Sequence, residues 1–470
     1  MAWPAAAADN TASMETVVRM TGTYSLGAKA ALEWARAYAK QLNLTSIRVN
    51  PGLDPEDYDV VAEGRESARK LRVQVRGKGN AAGLEQLLAG QADIWMAARQ
   101  IVPNDLEKLR DTKLVNIPPL DAFTAVGTEH VVALSALAIL VHPRNPVPAL
   151  STQQIREVFI GKYTSWAQLG GASNTPIGLA SMDASSDDAI RFCRGFFGTD
   201  NTEACVAAMP RMVVGRFSIP EELADAVAGT PAGIGFSGAE FRRNARVLPL
   251  ATECGTTADP TAFKIKAEEY PLTQRRYIYT APDRKLPADI ADFVAMIVGS
   301  TGQDAVAAAG LSDLSVGVSD EDYGALRLDS ARDALDGGKT KIRIPTFRAL
   351  EGVMAESDRL SLTFRFQRGS NILDSRGEAD LGRLVQVLKD DRYARRKATL
   401  IGFSSAAGDY DVNRDLSLER ANALRQRLIA LGLNGIDAIG VGPAAPVACN
   451  LDAASSALNQ RVEIWLRREE

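Results

Sequence analysis

The chain has 470 residues, 46% of them hydrophobic and 24% charged, the proportions of a globular protein of two or three domains. Its formal net charge of −4 argues against a general nucleic-acid binder. No apolar run approaches the ~20 residues a membrane helix needs.

Residues 1–15 open with "MAWPAAAADN", Ala-rich but without a basic segment or a long apolar core. The stretch reads as an expression start on a mature chain whose signal peptide was removed. From residue 16 the pattern alternates. "ETVVRMTG" predicts a strand, and "AKAALEWARAYAKQL" has helical spacing through Ala31, Trp34, Ala35, Tyr38 and Leu42. "LRVQVRG" predicts a strand, "AAGLEQLLAG" a helix closed by Gly90, and "ADIWMAA" another strand. This rhythm implies a mainly parallel, covered sheet. A second set follows in "LSALAILVHPRNPV", "STQQIREVFIGKYTSWAQLGG", "TPIGLASM", a helix after Ser186, and "AGIGFSGAEF". "RRYIYTAP" and "PADIADFVAMIVGSTGQDAVAAAGL" return to strand and helix. Residues 312–357 are polar, with no strong period over their first half, and read as a linker or peripheral segment. The rest predicts strand ("RLSLTFRFQ"), helix ("SRGEADLGRLVQVLKD"), strand ("KATLIGFSS"), helix ("SLERANALRQRLIALG") and a final strand ("NQRVEIWLR").

The four cysteines are Cys193, Cys205, Cys254 and Cys449, with no C-x-x-C pair, and the two histidines are His130 and His142. A zinc site is not expected, nor any other metal or cofactor. The thiols read either as two disulfides, Cys193 with Cys205 being the most local pairing, or as buried free thiols. Glu129 and His130 are adjacent in a strand, so they point to opposite faces and do not read as an acid–base pair. Trp34, Trp95 and Trp166 read as core. No Ser/His/Asp set is convincing, and the chain reads as a non-enzyme.

Three segments share one design, a strand followed by a small polar turn and a helix: "TGTYSLG" (21–27), "RGKGNAAGLEQLLAG" (76–90) and "DASSDDAIRF" (183–192). Helix N-termini of this kind present free N–H groups and a positive dipole end to an anion. Together they suggest turns that converge on a ligand.

These turns, with "LSALAILVHPRNPVPALSTQQIREVFIGKYTSWAQLGG" and its F-x-G-K-x-x-x-W element, resemble the phosphate-binding periplasmic proteins of the PstS type over roughly residues 16–310. The resemblance implies a domain over 16–311 of two α/β lobes joined by a hinge, a type II periplasmic-binding-protein fold. It implies a small anion such as phosphate as ligand, and an ABC transporter or other envelope protein as partner. Thr23, Tyr24, Ser25 and Leu26 match the first ligand turn, and Asn80 stands where the family usually has Ser. Arg99 lies close to the family's acidic hydrogen-bond acceptor. The third turn departs. The family's arginine falls on Ser181, and its Ser-Gly-Thr on Ser185, Ser186 and Asp187. Asp187 has three readings: a first-turn carboxylate favoured by the helix dipole, a partner for Arg99, or the mark of an amine-bearing ligand.

Residues 358–470 resemble the OmpA-like peptidoglycan-binding domain, a smaller α/β sandwich. Asn413, Leu416, Ser417, Arg420 and Ala421 form its N-x-x-L-S-x-x-R-A signature, and Arg461, Val462 and Glu463 its closing strand. The resemblance implies that Arg420 pairs with the carboxylate of diaminopimelate in a peptidoglycan stem peptide. The family's ammonium-binding aspartate is Ser405 here, with Asp409 and Asp411 a few residues on. The sequence thus predicts a periplasmic solute-binding protein tethered to the cell wall. The alternatives are an envelope interaction protein whose ligand is lost or changed and, least favoured, a phosphate-ester hydrolase.

Overall fold

The computed structural model describes residues 15–469 except 55, 65–68, 111, 113, 115, 172–173, 211–213, 253–256, 337–342, 367–369 and 451–452. Residues 1–14 of the predicted N-terminal tail and Cys254 therefore lie outside the described residues, while Glu15, assigned to that tail, begins the first strand. The chain divides into two compact units, one of residues 1–133 and 275–313, the other of 134–274 and 314–470. The predicted α/β class holds in both.

In the first unit, strand Glu15–Gly22 lies parallel to Lys70–Arg76 and Ile94–Ala97. The sheet is not mainly parallel, however. Strands Ser46–Pro51 and Tyr58–Glu63, which the sequence reading passed over, extend it as an antiparallel meander, and Thr273–Tyr279 pairs antiparallel to Ile94–Ala97. Strand Ser46–Pro51 alternates Ile47 and Val49 with polar residues yet is exposed along its length, so its short alternation marks no buried face. Helix Leu32–Gln41 buries Trp34, Ala35 and Tyr38 on one face, as its spacing predicts. Tyr38 meets Phe293 edge to face with ring centroids 5.1 Å apart.

The second unit begins with the later part of strand Glu129–Val141. That strand pairs with Gly233–Gly238, which lies parallel to Gly178–Met182. Helix Asp187–Phe197 puts Phe192 flat on Phe236, centroids 3.9 Å apart. A disulfide joins Cys193 to Cys205, the most local pairing predicted, and Cys449 is disulfide-bonded as well.

The C-terminal sheet runs Ser357–Phe364, Arg461–Arg467, Ala398–Phe403, Asp437–Gly440. Its last strand shows why both faces are covered. Val462, Ile464 and Leu466 face a core shared with helices Ser375–Lys389 and Tyr410–Ala430. Arg461, Glu463 and Trp465 alternate to the other face, yet none of them is exposed. The stretch read as a linker explains this. It carries helices Tyr323–Asp336 and Ile344–Met354, whose Leu328, Phe347, Leu350 and Met354 cluster with Ile401, Phe403 and Trp465.

Candidate functional site

The predicted first turn is held by close backbone approach. Gly22 has φ +137°, and a Cβ there would lie 1.9 Å from the Met96 carbonyl oxygen. Next to it the Thr23 N–H donates to that same oxygen at 2.9 Å. The hydroxyls of Thr23 and Ser25 are buried and 3.3 Å apart, Tyr24 is half-buried, and Leu26 begins a π-helical turn through Ala31. Such turns are frequent at functional sites. Asn80 sits in the first turn of helix Gly79–Leu88, and its Oδ1 accepts from the Ala98 N–H at 2.9 Å. That bond ties the second turn to the end of strand Ile94–Ala97. Arg99 forks onto Asp105 with contacts of 2.7 and 2.6 Å. This is bidentate geometry that compensates its charge within its own unit.

The third turn belongs to the second unit. Ser186 is the N-cap of helix Asp187–Phe197, its Oγ accepting from the Ala189 N–H. Asp187 occupies the first helical position, where the dipole favours a carboxylate. Ser185 is exposed, and the buried Ser181 hydroxyl bonds to the Met182 carbonyl. Sequence reading missed the next pair. Asp188 is buried, accepting from the Gly238 N–H at 2.9 Å and from Arg191 at 3.2 Å. Arg191 also reaches the Ser135 hydroxyl and the Leu272 carbonyl. A guanidinium is therefore present on the helix whose preceding arginine position is Ser181, but it is built into the fold. The readable signal was the Asp–Arg spacing of three.

In the C-terminal domain, helix Tyr410–Ala430 turns Asn413, Ser417, Arg420, Ala421 and Leu424 inward. It can do so because Gly402 has no side chain; a Cβ there would meet the Ser417 carbonyl oxygen at 1.9 Å. Ser417 donates to the Arg414 carbonyl and accepts from the Gly442 N–H. Asn413 donates to the Ala407 carbonyl, while Leu416 is half-buried. Arg420 is only 4% exposed, its guanidinium 5.3 Å from the centre of the Phe366 ring. Its Nε and Nη1 have no hydrogen-bond partner among the described residues. Burial pulls its pKa below the ordinary arginine value.

The neighbouring candidates are otherwise engaged. Asp409 caps the helix, its Oδ1 accepting from the Asp411 and Val412 N–H groups. Asp411 pairs with Arg343 and Arg414. Ser405 is buried, its carbonyl accepting from the Ser404 hydroxyl. Arg461 is wholly buried, 2.7 Å from Glu463 and 4.0 Å from the Phe403 ring centre, so it packs the interior. Sequence reading also missed Phe366. An aromatic eight residues before the helix cap at Asp374 carries no local signal.

A model of the PBP superfamily domain matches residues 9–297, more than half of the chain, and a model of the OmpA family matches residues 365–458. The chain belongs to the PBP superfamily. This PBP-superfamily chain is 23% identical over 266 residues to the phosphate-binding protein PstS of Pseudomonas aeruginosa, covering 53% of this chain and 77% of that protein. It is 36% identical over 103 residues to the Escherichia coli protein named "Probable lipoprotein YiaD", covering 22% of this chain and 46% of YiaD. It therefore spans less than half of YiaD's length. Among solved structures, an ABC-type phosphate transport receptor from Vibrio cholerae is 20% identical with a TM-score of 0.43, covering 63% of this chain and 98% of that one. The superfamily and OmpA matches place the chain among envelope proteins. No helix among the described residues is long and apolar enough to cross a membrane.

Proposed function

We propose that this chain is a periplasmic solute-binding protein held at the cell wall by its C-terminal domain. One observation carries the wall-binding half: Arg420 is buried with two guanidinium nitrogens bonded to nothing among the described residues. A buried unpaired charge is costly, and a carboxylate arriving in bidentate geometry would remove that cost. The ligand is the free carboxylate of diaminopimelate in a stem peptide. The binding domain, over residues 16–311, takes a small anion, phosphate by its likeness to PstS, and hands it to a transporter. Binding rather than catalysis is the activity.

A second reading has its own support. Arg99 and Arg191 are each bonded to a carboxylate of their own unit, Asp105 and Asp188. Asp187 adds negative charge to the third turn. That arrangement favours a ligand other than phosphate, or an interaction protein.

Two measurements test the readings. Sedimentation of the full chain with purified peptidoglycan should show Arg420→Ala weakening retention roughly tenfold to a hundredfold, the worth of charged hydrogen bonds of about 1.5–3 kcal/mol. Unchanged retention removes Arg420 as the anchor. A thermal-shift titration of the full chain with phosphate should raise the melting temperature with the logarithm of ligand concentration over Kd. No shift with phosphate, but one with an amine-bearing compound, decides for the second reading.

A further inference from the structure

Two consecutive glutamates of the binding domain reach into the C-terminal domain. Helix Ala262–Lys266 ends in a turn that places Glu268 at φ +54°. A helix end of this kind ordinarily uses Gly or Asn, and a longer side chain there persists only when its surroundings fix it. The surroundings are arginines. The Glu268 carboxylate accepts from Arg365 Nε at 3.0 Å and pairs with Arg376 Nη1 at 2.8 Å. Glu269 is bonded to Arg359 and Tyr323, and to Arg327 at 3.1 Å. The turn's backbone is engaged as well: the Ala267 carbonyl accepts from Thr363, and the Lys266 carbonyl from Arg376, both at 2.8 Å. Both glutamates are buried.

Arg365 leads from this contact to the wall site. While bound to Glu268 it also donates to the carbonyls of Ala457 and Leu458, at 3.1 and 2.9 Å. Its immediate neighbour, Phe366, provides the ring against which the Arg420 guanidinium lies. The backbone that carries Phe366 is thus fastened on one side by a residue of the binding domain. We propose that Glu268 is a positioning residue for the wall-peptide site: through Arg365 it holds Phe366, and through Phe366 it holds Arg420 ready for a carboxylate. The proposal rests on the reading that Arg420 takes the ligand's carboxylate. It assigns to the binding domain a part in the affinity of the C-terminal domain.

The test measures binding of a soluble stem tripeptide containing diaminopimelate to the full chain by titration calorimetry. Glu268→Gln keeps the shape of the side chain and removes its charge. It should weaken binding about tenfold, within the range by which residues outside a site alter its affinity. In an Arg420→Lys background, which binds weakly, the same change should cost less than about twofold, because both act through one guanidinium. An equal loss in both backgrounds, or no loss beside wild type, overturns the proposal. If Arg420→Lys and Arg420→Ala both bind as wild type, the reading of Arg420 itself falls instead. Should Glu268→Gln fail to fold by circular dichroism, Arg365→Lys serves, since it retains a charge for Glu268 but gives up the fork onto Ala457 and Leu458. It too should weaken binding about tenfold, and wild-type affinity would overturn the proposal.

Discussion

Glu463 shows how much a single residue's environment decides. It is wholly buried, in contact with Arg327, Arg359 and Arg461 at 3.3, 3.3 and 2.7 Å. Burial alone would raise its carboxyl; the three guanidinium groups reverse this and hold it well below the usual 4.5. Burial in turn pushes Arg359 and Arg461 down to about 10, even with Glu463 beside them. The sign of the pH dependence follows. The folded carboxyl titrates below the unfolded one, so its contribution to stability is complete above the unfolded value of 4.5 and is lost as the pH falls through the folded one. Calorimetric scans of the full chain at descending pH should show the melting temperature of the C-terminal transition falling below about pH 4.5. Glu463→Gln should remove most of that slope and cost roughly 3–5 kcal/mol at neutral pH, because buried guanidinium groups lose their counter-charge. A slope unchanged by Glu463→Gln would show that other carboxyls control acid unfolding.

At the scale of elements, helix Tyr410–Ala430 and strand Ala398–Phe403 depend on one missing Cβ. Gly402 faces the Ser417 backbone, and Gly440 faces Leu418 and the Arg414 carbonyl, so the helix lies directly on the two strands. Gly402→Ala should push the helix away. It should destabilise the C-terminal domain by roughly 1–3 kcal/mol or more, read by urea unfolding. It should also weaken stem-peptide binding, because Arg420 is one turn beyond Ser417. Full stability in that variant would mean the helix can shift without loss. The sequence made these elements legible, since "KATLIGFSS" reads as a strand and "SLERANALRQRLIALG" as a helix. It did not make the glycine's reason legible, because the atom it avoids is 15 residues away on another element. The third ligand turn shows the same split. Its helix start was readable from Ser186 and the acidic first turn. The bonding of Asp188 to Gly238 and Arg191 was not, since Gly238 is 50 residues away.

For the whole molecule, local periodicity determined a great deal. The alternation of strands and helices and the α/β class of both domains follow from spacing within a few residues, whereas the Cys193–Cys205 bridge, one of several readings open in the sequence, was decided by the fold. Sequence could not show that residues 323–354 form two helices over a sheet face carrying Arg461 and Glu463, because their apolar stripe only has meaning against that face. Nor could it show that Glu268, nearly 100 residues before Arg365, would be its partner. Sequence by itself determined the strands, helices and turns whose period is marked within one segment, because backbone preference and burial period act over short range. Tertiary structure alone decided which charges are paired and that two guanidinium nitrogens of Arg420 are buried with no hydrogen-bond partner among the described residues, because electrostatic compensation depends on groups that only folding brings together.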